Sequence, residues 1–155
     1  MIYIGIDPGK IGAVAILNAY HDTQLIDAYK CPMLGKAYDE KRMATLLRPL
    51  TDEPRFAILE KVHSMPKQGA VSGFNFGMGF GIWRGILSAL EIPYELITPQ
   101  KWKKEFSLIG KEKRASTDVA QRLYPKFHFP TTLAGTGISD AVLMAEYGKR
   151  LKHGS

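Results

Sequence analysis

Apolar and polar positions alternate in short runs through the first thirty residues and take helical spacing over most of the remainder. Residues 2–7 (IYIGID) and 12–18 (GAVAILN) read as strands joined by a tight turn at Pro8-Gly9. Residues 23–30 (TQLIDAYK) alternate as a third strand at a sheet edge, completing an antiparallel meander. Residues 39–49 carry helical spacing through Met43, Leu46 and Leu47, with Asp39 and Glu40 in the first turn and Pro49 and Pro54 closing the segment. The apolar run at 55–60 (RFAILE) follows a helix, which predicts a buried parallel strand. A loop at 65–69 leads into a glycine-rich stretch that closes as a helix by Leu90, and residues 93–97 make a fifth strand. Thr98 and Pro99 suit the cap and first turn of a helix through Trp102. Further helices are expected at 112–124 and 138–151, separated by a loop rich in Pro, Thr and Gly.

Three antiparallel strands, then helix–strand–helix–strand, then helices, predict an α/β fold. The expected layout is a ribonuclease H-like mixed five-stranded sheet, three strands antiparallel and two parallel, with the first strand central and helices flanking it. At 155 residues the chain is expected to form one domain over residues 1–150, with 151–155 as a C-terminal tail. The single cysteine, Cys31, cannot form an internal disulfide and suits a reducing, cytoplasmic setting. No segment has the apolar length of a membrane span, and the N-terminus opens directly on a strand. The net charge of +6 favours polyanionic partners, nucleic acid first and acidic membrane surfaces second. Lys101, Lys103, Lys104, Lys111, Lys113 and Arg114 crowd one stretch, although a solvated helix face accounts for such a run as well.

The chemistry is carried by acids in unusual places. Asp7 and Glu60 each end an apolar strand run, where a charge is costly unless a cation or a reacting group uses it. On the predicted layout those two strands are neighbours and both acids leave the sheet at the same end. Asp140 lies early in the last helix and would join them if that helix docks over the sheet end. Like charges so close must share protons or bind cations, and ligation by oxygen alone selects Mg²⁺ or Mn²⁺. Two such ions about 4 Å apart would activate water and stabilise the leaving oxygen of a phosphodiester. Each acid also has a plain account: a turn aspartate, a surface strand end, and a helix-capping acid.

Five blocks in order, IGIDPGKIGAVAIL, AILEKV, GFGIWRG, ITPQKWKKEF and SDAVLMAEYG, resemble RuvC-type Holliday-junction resolvases over nearly the whole chain. The compact branch found in bacteriophages and plastids is the nearest in pattern. The resemblance implies a homodimer that binds a four-way DNA junction and nicks two strands symmetrically with Mg²⁺ or Mn²⁺, in a phage-encoded or other intracellular setting. Asp7, Glu60 and Asp140 fall on three of the family's four catalytic, metal-holding acids. The fourth normally precedes the last by three to five residues, where this chain has Gly137, Thr136 and Gly135. Asp118 is a candidate substitute, and a solvated helical aspartate is the plainer reading of it. The missing acid leaves open a junction-binding protein with weak or absent cleavage.

By position the resemblance also points to Lys103 and Lys113 as catalytic lysines near the scissile phosphate. It places an aromatic-type wedge near His63, where a plain surface histidine is the competing account. The residues themselves offer Lys67 and Gln68 in the adjoining loop as base or backbone contacts, Phe74 and Phe76 as stacking partners for unpaired bases, and Arg84 in the GFGIWRG block as a further DNA contact. Lys101, Lys104, Lys111 and Arg114 are the expected phosphate contacts. Core burial is the competing account of the two phenylalanines. The Gly77–Gly81 run has no strand leading into it, so it does not fit a dinucleotide loop; close backbone approach accounts for it more simply. The apolar face from Ile82 to Leu90 suits either a dimer contact or the core. A remote third reading, an actin-like ATPase fragment, rests on the first Gly-Ile-Asp-Pro-Gly turn alone.

Overall fold

The computed structural model describes residues 1–20, 23–50, 52–62, 67–132 and 135–154. Five strands form the main sheet in the order β3-β2-β1-β6-β7: β1 (Ile2–Asp7), β2 (Ala13–Tyr20), β3 (Thr23–Lys30), β6 (Arg55–Glu60) and β7 (Tyr94–Ile97). The first three pair antiparallel, while β6 lies parallel to both β1 and β7, as the meander and the helix-led strand predict. A two-stranded hairpin, β4 (Met33–Leu34) with β5 (Ala37–Tyr38), is too short for the hydrophobic pattern to reveal.

Strand alternation divides the core in two. Ile2, Ile4 and Ile6 of β1 and Ala57 and Leu59 of β6 face α1 (Glu40–Leu47) and α2 (Ala70–Ala89), around Tyr38, Met43, Trp83 and Leu87. Tyr3 of β1 and Phe56 and Ile58 of β6 face the opposite layer. That layer consists of α3 (Pro99–Glu105), α4 (Arg114–Leu123) and α5 (Thr136–His153), with Trp102, Tyr124 and the Ala141–Ala145 turn at its centre. Helix α5 lies directly on β1. A methyl at Gly5 would sit 1.9 Å from the Ala141 carbonyl oxygen, so no side chain fits there.

Helix α2 departs most from the sequence pattern. It runs for 20 residues from Ala70, through the stretch whose glycines hide its helical character. Gly73, Gly77, Gly81 and Gly85 recur every fourth residue on one face, each with nothing near its missing side chain. Each such exposed glycine costs about 1 kcal/mol against alanine. The buried edge offsets this: Trp83 and Leu87 are fully enclosed, and Gly79 is pressed against Tyr38, whose hydroxyl donates to the Asn75 carbonyl at 2.9 Å. Ile82, Ile86 and Leu90 pack on this core and stay half-buried. At the chain end α5 continues to His153, whose ring bonds the Tyr3 hydroxyl at 2.7 Å. Among the described residues no helix is long and apolar enough to cross a membrane. Cys31 is buried, as a small apolar residue would be.

Candidate active site

Register and alternation bring the acids together. Ile6 pairs with Leu59, and the next residue on each strand is the acid, Asp7 or Glu60. Tyr3, Gly5 and Asp7 share one face of β1, and Phe56, Ile58 and Glu60 share the same face of β6. That face is covered by α5, which carries Asp140 in its second turn. The sheet end therefore collects three carboxylates from three elements far apart in sequence.

Their mutual influence is direct. Burial drives Asp7 well above the usual carboxylate range, and the neighbouring charges of Glu60 and Asp140 push it further. Burial likewise raises Glu60; Asp140 adds to that, while a bond from Trp102 opposes it. Asp140 is raised by burial against the pull of a Ser116 hydrogen bond. Lys103 counteracts all three shifts, and Lys113 those of Asp7 and Asp140, so both lysines lie within electrostatic reach of the acids. A cluster of this kind favours protonation or a cation. Its oxygen-only donor set fits Mg²⁺ or Mn²⁺. Among the described residues, however, no three His, Cys, Asp or Glu side chains are gathered tightly enough to hold an ion as they stand.

Two supporting residues were not visible in the sequence as such. The Trp102 indole nitrogen donates to Glu60 Oε2 at 2.7 Å. The Ser116 hydroxyl, with one proton to give, sits between the Asp140 carboxylate and the Lys113 carbonyl, 2.9 Å from the latter. Both partners are reached across elements, so only their burial as polar-tipped residues in predicted helices hinted at them.

Two of the three positions at which the resemblance puts a fourth acid, Gly135 and Gly137, are crowded by their neighbours. A methyl at Gly137 would lie 2.8 Å from the Ile11 carbonyl oxygen and 3.3 Å from Asp7 Oδ2. Gly135 is pressed against Pro130. Thr136 and Asp118 line a separate cavity of about 330 Å³ with Arg114, Thr117, Gln121, Phe129 and Thr131. Asp118 is exposed there and does not join the three acids.

The expected nucleic-acid residues divide by location. Phe76 packs its ring beside Gly9, next to Asp7, and remains 39% exposed; Phe74 is 67% exposed, so neither is core. Near them an apolar groove of about 520 Å³ runs between Lys10 and Ile11 of the first turn, Tyr38, and the start of α2. Lys67 adopts a positive φ of 71° in the turn before α2, and Gln68 donates to the Ser72 hydroxyl at 3.3 Å. Lys101, Lys104, Lys111 and Arg114 are all exposed along α3, its following loop and the start of α4. Lys103 lies 5.5 Å from the Trp102 ring centre. Arg84 is elsewhere: it bonds Tyr94 at the start of β7, the sheet end remote from the acids. His63 lies outside the described residues.

Comparison with solved structures agrees with this architecture. Thermus thermophilus RuvC superposes with a TM-score of 0.68 at 12% identity, covering 98% of this chain and 97% of that one. The fold is RuvC-like. T. thermophilus RuvC solved in complex with a Holliday junction substrate matches at TM-score 0.60 and 13% identity, over 99% of this chain and 97% of that one. No protein-family model matches the sequence, and no curated protein does. The RuvC-like frame thus rests on three-dimensional arrangement, with the acid-bearing strand ends central in it.

Proposed function

We propose that this protein is a structure-selective, divalent-metal-dependent endonuclease that nicks four-way DNA junctions in pairs as a homodimer. One observation carries the reading: paired register and the docking of α5 bring Asp7, Glu60 and Asp140 to a single sheet end. There Glu60 and Asp140 add to the burial that raises Asp7, and Lys103 is within electrostatic reach of all three. The three carboxylates would hold Mg²⁺ or Mn²⁺, which supplies an activated water and charge neutralisation at the phosphate. Lys103 and Lys113 stand where negative charge would develop and offset it. Lys101, Lys104, Lys111 and Arg114 form an exposed basic border for flanking phosphates. Exposed Phe74 and Phe76 would offer stacking faces for unpaired bases, Phe76 against Gly9 of the turn that follows Asp7. The open glycine stripe of α2 would let a second copy approach closely, in keeping with a dimer. The five motif blocks fit the compact phage and plastid branch best.

A second reading, a junction binder with weak or absent cleavage, is favoured by the closed Gly137 position alone. Incubating the protein with labelled four-way junction and matched linear duplex in Mg²⁺ and in Mn²⁺ separates the two. Paired nicks in the junction alone support the nuclease. Tight binding without nicks in either metal contradicts it and leaves the binder.

A further inference from the structure

The two tryptophans of this chain are both fully buried, yet only one has a use for its single polar atom. The Trp83 indole nitrogen, in the α2-side core, has no hydrogen-bond partner among the described residues. That of Trp102 reaches across from α3 to Glu60 Oε2 at 2.7 Å. A phenylalanine would fill much of either site, so burial alone does not call for an indole at position 102. The remainder of α3 is also fixed from behind. Arg150 of α5 bonds Glu105 at 3.0 Å and Glu146 at 3.0 Å, and lies 4.8 Å from the Phe106 ring centre. Trp102 is thus a fully enclosed donor, in the same core cluster as Ile97, which precedes α3, and Phe106, which follows it, and aimed at a carboxylate that would otherwise rotate about its terminal torsion.

We propose that Trp102 is a positioning residue: its indole N–H holds one Glu60 oxygen and turns the carboxylate so that its remaining lone pairs meet a divalent cation with Asp7 and Asp140. This rests on the metal-dependent nuclease reading above. It assigns to α3 a role beyond carrying lysines, because the same short helix presents Lys103 towards the acids. Hydrogen-bond partners behind metal ligands typically control affinity by 10- to 100-fold.

The test titrates Mn²⁺ calorimetrically into the full-length, metal-free protein and into its Trp102→Phe and Trp83→Phe variants. Trp102→Phe is expected to bind Mn²⁺ about 10-fold more weakly while keeping metal-free junction affinity, and Trp83→Phe to bind Mn²⁺ as the unmodified protein does. Unchanged Mn²⁺ affinity in folded Trp102→Phe overturns the proposal while leaving the nuclease reading intact. Should Trp102→Phe not fold, the unmodified protein labelled at its indole nitrogens decides. Mg²⁺ should shift the Trp102 N–H resonance and leave that of Trp83 in place. Both moving alike, or neither moving in a protein that cleaves, overturns the proposal. A protein that neither binds Mn²⁺ nor nicks junctions overturns the nuclease reading and this one with it.

Discussion

The two faces of the sheet have cores of similar make-up and different purposes. On the α1/α2 face, isoleucines of β1 meet Trp83, Leu87 and Met43, and the tryptophan's polar atom is left unpaired among the described residues. On the α5 face the same strands meet Trp102, Tyr124 and the small residues of α5, and the polar tips are used. Trp102 bonds Glu60, and the Tyr124 hydroxyl donates to Glu146 at 2.6 Å. Tyr38 on the first face spends its hydroxyl on a helix carbonyl, whereas on the second face the polar tips reach carboxylates. Hydrophobic burial by itself is indifferent to direction, so hydrogen bonds aimed at carboxylates mark the face on which chemistry would be organised.

The contrast is broken most severely at the acids. Asp7→Asn or Glu60→Gln should lower junction cleavage by at least on the order of 10²–10³-fold, the scale for losing one charge-managing group in an active site. Junction affinity should hold or tighten as repulsion from phosphate falls; cleavage assays beside gel-shift titrations check both. Changes in the buried core of the α1/α2 face, such as Leu87→Ala, should affect cleavage only through stability.

Next in size is the contact between α5 and β1. Gly5→Ala must displace the Ala141 carbonyl, at a cost of about 3 kcal/mol or more, since overpacking of backbone against backbone cannot relax as a side chain does. Urea unfolding would report it. Gly137→Asp meets the same obstacle at the Ile11 carbonyl and should lose stability without gaining activity in Mg²⁺.

The acids also set a pH dependence. Asp7, Glu60 and Asp140 all take up protons more readily folded than unfolded. Their contribution to stability is therefore fully present below the ordinary carboxylate value, about 4, and is lost as pH rises through the raised folded values. Thermal unfolding of the metal-free protein should show Tm falling over that window. Asp7→Asn should flatten the fall, with a gain of about 1 kcal/mol, or roughly 3 °C, at neutral pH. Mn²⁺ should restore the loss by binding the folded state alone. The smallest effect is on the open stripe of α2. Gly81→Ala should stabilise an isolated subunit by about 0.5–1 kcal/mol and weaken self-association if that stripe is the dimer contact, which sedimentation reads directly.

Much of this was legible in the chain because strand alternation and strand-end charge are local signals. Asp7 and Glu60 stand out since each interrupts an apolar run, and their shared face follows from counting by twos along β1 and β6. Helix α2 was obscured because its glycines depress local helix propensity, while the packing of Trp83 and Tyr38 that overrides them is long-range. Trp102 and Ser116 were legible as helix residues but not as partners of Glu60 and Asp140. Nothing in residue spacing encodes a hydrogen bond between elements more than twenty residues apart. The missing fourth acid read as a lost ligand; the packing of Gly137 against the first turn reveals a position with no room for one.

The central claim is that three carboxylates from β1, β6 and α5 act as one cation cage. Anomalous diffraction from crystals soaked in Mn²⁺ measures this most directly. The account predicts a peak bonded by oxygens of Asp7, Glu60 and Asp140 together, lost in Asp7→Asn. A peak held away from these residues, or no peak from a protein whose three acids are intact and accessible, would contradict it.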